Sequence, residues 1–443
     1  MAVTFPDLSA PGATNPTKGP SHARVLNASG GAARTVGLVL VGVLVLGVVG
    51  GATAVTRLTG NIDTAGMTAL GSDRPEVVLP QDPNAGTPLN IVVMGSDSRD
   101  GDNGGLAGGG EMGARSDTTL VMHISGDRSR VEMVSIPRDS TVDVPSCTTQ
   151  EGATTAELYG TKFNAAFSQG VQAGGGVADG ALCTVKTIES LTGVFMDGFI
   201  VVDFAGFSSM IDAVGGVEVC VEEAIYSEKA NHLSLEPGTH LLKGVKALDY
   251  ARARTGQGLG DGSDLGRIGR QQEVMASLAR KVLSQEVLTN PSKTLGFLNA
   301  VTGSLTMNEE LASIDGLAGL AYSMRNVRPD TITFMTVPNV YDPNNAANVV
   351  WTDEATTLWD NVKHDRPLDY DPDTASASPS ASPSEGGTGG EGAAGADESD
   401  TETGTETDTD AGAGTPEPSP SSTVIKQAGE EAFTGADTTK VCG

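Results

Sequence analysis

LNIVVMGSDSR, residues Leu89 to Arg99, opens as a strand and closes as a polar loop. Its first six residues are mostly apolar, with Ile91, Val92 and Val93 supplying the β-branched side chains that suit a pleated, buried surface. Gly95 then breaks the run and Ser96, Asp97, Ser98 and Arg99 follow. A buried strand feeding a polar loop is the unit from which α/β ligand sites are built, because strand ends converge on one edge of a sheet. Outward from it, Thr118 to Ser125 (TTLVMHIS) and Arg130 to Ile136 (RVEMVSI) predict a hairpin across a Gly126-Asp127 turn. Phe199 to Val202, Val217 to Val221 and Thr331 to Val337 are further strands. Phe204, Phe207, Met210, Ile211 and Val214 keep helical spacing, with Asp203 placed as an N-cap and Gly215-Gly216 as the stop. Gly266 to Ser284 predicts another helix. Strands alternating with helices give a layered α/β domain.

This pattern holds from about residue 88 to residue 367, and its flanks differ from it. Residues 1–34 are polar and rich in Gly, Ala, Pro and Ser, with Lys18, Arg24 and Arg34 against Asp7 alone, and read as a disordered leader. Residues 35–56 carry no charge over 22 positions. At 1.5 Å per residue that is enough to span a hydrocarbon core of about 30 Å. The apolar stretch exceeds the usual signal-peptide length, so a single transmembrane helix is expected rather than a cleaved signal. The basic leader orients it with the N-terminus cytoplasmic and the body extracellular. Residues 57–87 read as an extracellular stalk. Residues 368–443 form an acidic tail rich in Pro, Ser, Gly and Thr: from Asp371 onward it holds 15 acidic residues and two Lys. It has too little apolar surface to offset the entropy of ordering. One patch, 422–443, regains Val424, Ile425 and Phe433 and is expected to dock back on the body.

The whole chain of 443 residues carries a net charge of −28. That argues against nucleic acid as a partner, which would need a basic footprint. It leaves room for phosphate chemistry, which needs only a local group of Arg. Five groups at predicted element ends supply one: GSDSR (95–99), RSDT (115–118), SIPRD (135–139), YARAR (250–254) and DLGRIGRQQ (264–272). The planar guanidinium fork donates bidentately to phosphate and stays charged. Arg252 and Arg254 face the same way if their segment is extended. Arg267, Arg270 and Gln271 share one helix face at i, i+3 and i+4. Asp97 and Asp117 are hard oxygen donors of the kind that hold Mg2+ beside a phosphate. There is no G-x-S-x-G or H-E-x-x-H, and His123 is the one His in the early sheet. The loop Gly101 to Gly113 is Gly-rich but lacks the Lys-Ser/Thr of a P-loop and reads as a surface loop. Four Cys allow three connectivities. Cys147–Cys183 is preferred, because both flank one short stretch; the closed loop would contribute about 3–4 kcal/mol. That leaves Cys220 to pair with Cys442.

These five ordered motifs, over about residues 88–284, resemble the LytR-CpsA-Psr family of cell-envelope proteins. The resemblance implies a three-layer α/β/α sandwich behind a single N-terminal transmembrane helix. It implies an enzyme of cell wall biogenesis, a Mg2+-dependent phosphotransferase (Mn2+ can stand in). Such an enzyme moves a glycopolymer from a polyprenyl-pyrophosphate carrier to a peptidoglycan hydroxyl at the outer face of the membrane. It implies metal binding by Asp97 and Asp117, and catalytic roles for these with Arg115 and Arg138. It implies pyrophosphate binding by Arg99, Arg138, Arg252, Arg254, Arg267, Arg270 and Gln271, with an apolar tunnel for the lipid. The long Gly-rich loop between GSDSR and RSDT departs from the pattern and leaves the closeness of Asp97 to Asp117 to be shown. Two other readings use the same residues: a non-enzymatic scaffold that holds lipid-linked precursors, and a polyprenyl-pyrophosphate phosphatase with water as acceptor.

Overall fold

The computed structural model describes residues 60, 62–79, 86–97, 115–260, 262, 264–313, 316, 319, 320, 322, 324–371, 428, 429 and 431–437. The chain divides into two units, 1–60 and 61–443. The predicted leader, membrane-spanning helix and Gly-rich loop, and the tail from 372 to 427, lie outside the described residues. Among the described residues no helix is long and apolar enough to cross a membrane.

Strand β1 (Asp63–Ala65) precedes β2 (Leu89–Ser96), and β3 (Ser116–Ile124) and β4 (Val131–Ile136) form a hairpin. A smaller hairpin, β5 (Thr141–Val144) and β6 (Leu158–Lys162), leads into α1 (Ala165–Gly174) and α2 (Val177–Thr192). Strand β7 (Gly198–Asp203) runs directly into α3 (Phe204–Ala213). Then β8 (Val217–Val221), β9 (Ile225–Ser227), β10 (Leu233–Leu235) and β11 (Gly238–Leu242) precede α4 (Gly244–Arg252) and the long α5 (Asp264–Val282). The remainder comprises α6 (Gln285–Leu288), α7 (Pro291–Thr302), β12 (Leu305–Asn308), α8 (Glu309–Ala312), β13 (Ile332–Thr336), the hairpin β14 (Asn339–Asp342) and β15 (Asn345–Trp351), α9 (Asp353–Lys363) and β16 (Phe433–Thr434).

Eight strands make the central mixed sheet, in the order β1-β12-β7-β2-β3-β4-β13-β16. The middle trio is antiparallel, while β7 joins β2 and β13 joins β4 in parallel. Side chains alternate across it, as the period of two requires. Val92, Met94, Val121, Val134, Phe199 and Val201 face a core shared with α1, α2 and α9. Leu120, Ile124, Met133 and Phe334 face the other side with Ala276 of α5. Helices thus cover both faces, giving three layers. A further core fills the space between α3, α4, α5 and the β8–β11 hairpins, around the fully buried Tyr250. Asp203 caps α3 by accepting from the Gly206 N–H, and Gly215 and Gly216 end it at positive φ.

Two expectations change. Residues 57–87 are not a stalk where they are described: Ile62, Ala65 and Leu70 are buried, and β1 pairs with β12. Arg74 bonds Glu189 on α2 at 2.6 Å and stacks over Phe195. And YARAR is not extended. Tyr250, Ala251 and Arg252 are the last turn of α4, because burial of Ala247, Leu248, Tyr250 and Ala251 rewards a helical face.

Residues 428, 429 and 431–437 return to the body. Thr434 and Phe433 pair with Thr333 and Phe334 at the sheet edge, and the two Phe rings stack at 5.3 Å. The Gly429 N–H donates to Gln272, whose amide nitrogen donates to Ser135 and Thr336. Gly269 makes this approach possible, since a Cβ there would lie 2.3 Å from the Ala428 carbonyl oxygen. Cys147 and Cys183 are joined by a disulfide, with Cα atoms 5.4 Å apart. Cys220 is also disulfide-bonded, and Cys442 lies outside the described residues.

Candidate active site

The β2–β3 ladder decides where Asp117 goes. Thr118 faces Gly95 and Ser116 faces Ser96, so the register slips and Asp117 is the extra residue of a bulge. Bulges beside functional sites re-aim a side chain and end pairing. The ladder is closed one step further by the Asp97 N–H donating to the Arg115 carbonyl at 3.1 Å. The Arg115 N–H in turn donates to the Asp97 carboxylate. The long insertion between the motifs therefore does not part them: Asp97 and Asp117 sit on adjoining strand ends.

Arg138 follows β4 directly and ion-pairs with Asp117. Its Nε lies 3.5 Å from Asp139 and 3.6 Å from Asp264 at the start of α5. Burial works against its charge, but the three carboxylates outweigh this and hold the guanidinium above its ordinary range. Arg267, one turn into α5, pairs with Asp264 and donates to the Asp117 carbonyl at 2.9 Å. Burial pulls its guanidinium down, against Asp264. Arg254 lies 3.8 Å from Asp139, which also accepts from Lys162 on β6 at 2.6 Å. Four cations thus meet three carboxylates in one cluster, in a chain whose overall charge is strongly negative. Partly buried charges of this density need mutual pairing, and the cationic excess suits an anion.

Arg252 occupies a different place. Its guanidinium lies over the Phe204 ring at 4.2 Å, a cation–π contact. Phe204, Arg252 and Gln271 line an apolar cavity of about 330 Å³. Its walls come from β2 and β7 on one side and α3, α5 and α7 on the other, among them Val93, Ile200, Phe207 and Met275. Arg252 also lines a larger polar cavity of about 670 Å³ along α4 and the β9–β10 hairpin, which Arg254 shares. Arg252 and Arg254 therefore meet at one polar cavity without facing the same way along an extended strand.

Arg270 is the correction among the predicted binding residues. It is buried, and its guanidinium donates to the Ala253 carbonyl. It braces the turn between Arg252 and Arg254 and is not among the residues that line the cavities described above. Arg99 and Cys442 lie outside the described residues. His123 is wholly buried at the far end of β3, bonded to Asn90 at 2.7 Å and Asp365 at 3.0 Å, and has no part in the cluster. Sequence reasoning assigned no role to Lys162, Asp139 or Asp264. The two acids stood inside quoted motifs, whereas Lys162 ends a weakly patterned strand and carried no signal.

Among the described residues no group of three or more His, Cys, Asp or Glu is disposed to hold a metal ion. Mg2+ needs less: one or two carboxylates, with the substrate phosphate and water completing its shell. Asp97 and Asp117, on adjoining strand ends beside a cationic cluster, fit that donor set.

A family model described as the LytR_cpsA_psr family matches residues 56–364. The chain belongs to this family. It is 35% identical over 280 residues to the "Probable cell wall biosynthesis protein LcpB" of Corynebacterium glutamicum, covering 61% of this chain and 59% of that one. It is 31% identical over 232 residues to the polyisoprenyl-teichoic acid–peptidoglycan teichoic acid transferase TagU of Oceanobacillus iheyensis, covering 52% and 63%. The chain thus spans less than two thirds of either relative. A solved LytR-Csp2A-Psr enzyme from Actinomyces oris is similar at 21% identity, with a TM-score of 0.47, covering 66% of this chain and 96% of that one. Members of the LytR-CpsA-Psr family with those names place cell wall assembly among the family's activities.

Proposed function

We propose that this protein is a phosphotransferase that moves a glycopolymer from a polyprenyl-pyrophosphate carrier to a peptidoglycan hydroxyl. The observation that carries the reading is the place of Arg252, which lines the apolar cavity and also, together with Arg254 of the cationic cluster, the polar cavity along α4. A lipid pyrophosphate is an amphiphile with that division: a multiply charged head and a hydrocarbon tail. The tail enters between the sheet and α3, α5 and α7, and the head group meets Arg138, Arg252 and Arg254. Arg267 holds Asp264 and the Asp117 backbone in place, and Arg270 holds the turn that carries Arg252 and Arg254.

A pyrophosphate is already activated, so positioning and charge neutralisation carry the catalysis. The acceptor hydroxyl oxygen attacks the glycan-bearing phosphorus. A new P–O bond forms, the P–O bond to the lipid phosphate breaks, and its electron pair leaves on polyprenyl phosphate. The hydroxyl proton passes to Asp139, the carboxylate on the attacking side. Arg252 stabilises the charge that develops on the departing phosphate, and Arg138 neutralises the oxygens of the phosphoryl group in transfer. Mg2+ held by Asp97 and Asp117 would supply Lewis-acid neutralisation of the phosphate oxygens. The substrates belong at the outer face of the membrane, and residues 35–56 supply the anchor that keeps the body there, with the N-terminus cytoplasmic.

The test incubates the full-length protein with a polyprenyl-pyrophosphate glycan, with Mg2+ or EDTA, with and without peptidoglycan oligomers. Metal-dependent gain of mass on the acceptor is expected. Release of lipid phosphate without acceptor gain would make it a phosphatase. Binding without turnover would make it a scaffold.

A further inference from the structure

Helix α7 has two apolar stripes, and the fold uses one of them. Phe297 and Val301, one turn apart, line the apolar cavity. Leu295 and Leu298 share the neighbouring stripe, do not line the cavity, and are 51% and 39% exposed. Between them, a Cβ added at Gly296 would meet no described atom within 4 Å, so nothing described covers this side of the helix. One wall of the apolar cavity thus carries leucines on its outside.

The charge along this wall is as unusual as its exposure. Residues 287–308 contain no Asp or Glu and one Lys, in a chain with 56 acidic residues. Glu286, the acid just before them, is held between Lys281 and Lys293. An anionic lipid surface repels acidic protein and accepts such a stretch. The cavity's size supplies a reason for a lipid surface here. At about 330 Å³ it is a small-molecule pocket, a class that begins at about 300 Å³. A polyprenyl tail is far larger than a small molecule, so most of it stays outside. Apolar carbon outside the cavity belongs in hydrocarbon and not in water.

We propose that the outer face of α7 is a membrane-docking surface: Leu295 and Leu298 sit in the acyl boundary of the outer leaflet and bring the apolar cavity to the lipid carrier. Apolar helix faces enter that boundary by about 5–10 Å. The proposal rests on the lipid-carrier reading for its purpose, and its first test reads the membrane alone. Full-length protein is reconstituted in vesicles of phosphatidylglycerol and phosphatidylethanolamine, with a fluorophore on Leu298→Cys or, as control, on Tyr159→Cys. Tyr159 is exposed on β6, beside the core of α1 and α2. Among the described residues no native cysteine is free, so the new thiol takes the label. Nitroxide-labelled acyl chains are expected to quench the α7 label at least about threefold more than the β6 label, as insertion to that depth requires. Leu295→Asp combined with Leu298→Asp changes exposed positions only, and its denaturation midpoint should match wild type. It is expected to lower turnover of a vesicle-embedded donor about tenfold or more, while binding of detergent-dissolved polyprenyl diphosphate stays within about twofold. Equal quenching at the two sites, or wild-type turnover from vesicles in the double variant, would overturn the surface. Loss of detergent-phase binding would also overturn it, by placing the leucines in the cavity. So would a dimer in detergent that the double variant dissolves, since the occupant would then be a second copy. Quenching at α7 in a protein that binds no polyprenyl diphosphate would keep the surface and sink the lipid-carrier reading.

Discussion

At the residue scale the site depends on Arg138, which faces Asp117, Asp139 and Asp264 at once. Removing it leaves three carboxylates to repel a pyrophosphate. Arg138→Ala should lower turnover at least about 100-fold, the usual cost of a preorganised charge donor. Arg138→Lys should recover little, because one ammonium cannot reach three partners. Lipid phosphate release measures both, and a variant within threefold of wild type would remove Arg138 from the clamp. Asp139 adds a pH dependence. Burial would raise its carboxyl, yet the Lys162 hydrogen bond and the charges of Arg138 and Arg254 hold it below the ordinary range. A depressed carboxyl contributes stability above its unfolded pKa of about 3.9, and loses it as pH falls through the lower folded value. Wild type should therefore lose its advantage over Asp139→Asn as pH drops from about 5 to 2. Parallel denaturation curves for the two proteins would contradict this. Individual residues were legible where a motif placed them at a strand end, as with Asp117 and Arg138. Lys162 was not, since its partner Asp139 lies 23 residues away across a hairpin whose second strand, LYGTK, carries no apolar alternation.

At the scale of elements, the runs with a clear period were readable and the short ones were not. Strands β2, β3, β4 and β8 and helices α3 and α5 announce themselves by apolar spacing and caps. β1 has three residues with only Ala65 buried, so nothing in it signals a strand. Its place comes from the ladder with β12, a long-range pairing that local pattern does not encode. Helix α5 shows a conflict between local and tertiary preference. Ala in a helix interior normally gains about 1 kcal/mol over Gly. At Gly269 the new methyl would strike the Ala428 carbonyl. Gly269→Ala is therefore expected to destabilise and to expose residues 428–437 to proteolysis. A rise in the denaturation midpoint would show that the segment does not bear on α5. The DLGRIGRQQ motif thus carries packing as well as charge: Gly269 belongs to the packing of the C-terminal segment.

At the scale of the whole molecule, the acidic charge and the cationic site are kept apart in sequence. Much of the negative charge lies between residues 371 and 443, outside the five motifs. Deleting residues 375–420 is expected to leave transfer activity within twofold, as measured by acceptor mass gain. A large loss would give that stretch a role in the reaction. With Cys147 joined to Cys183 and Cys220 bonded, non-reducing peptide mapping is expected to link Cys220 to Cys442. A free thiol at Cys442 would refute the pairing.

The return of residues 431–437 to the sheet edge makes the fold severable. Phe433 sits 1% exposed against Phe334, and Arg280 donates to the Gly435 carbonyl at 2.7 Å, so this segment completes a core and does not merely follow it. The edge of β13 that it covers would otherwise invite pairing with another chain. A protease cut between 372 and 427 would then yield two polypeptides that remain one folded body. The same logic runs in reverse. A chain ending at 371 should be sticky and poorly soluble, and a peptide spanning 421–443, added from outside, should cure it by taking up the vacant place beside β13.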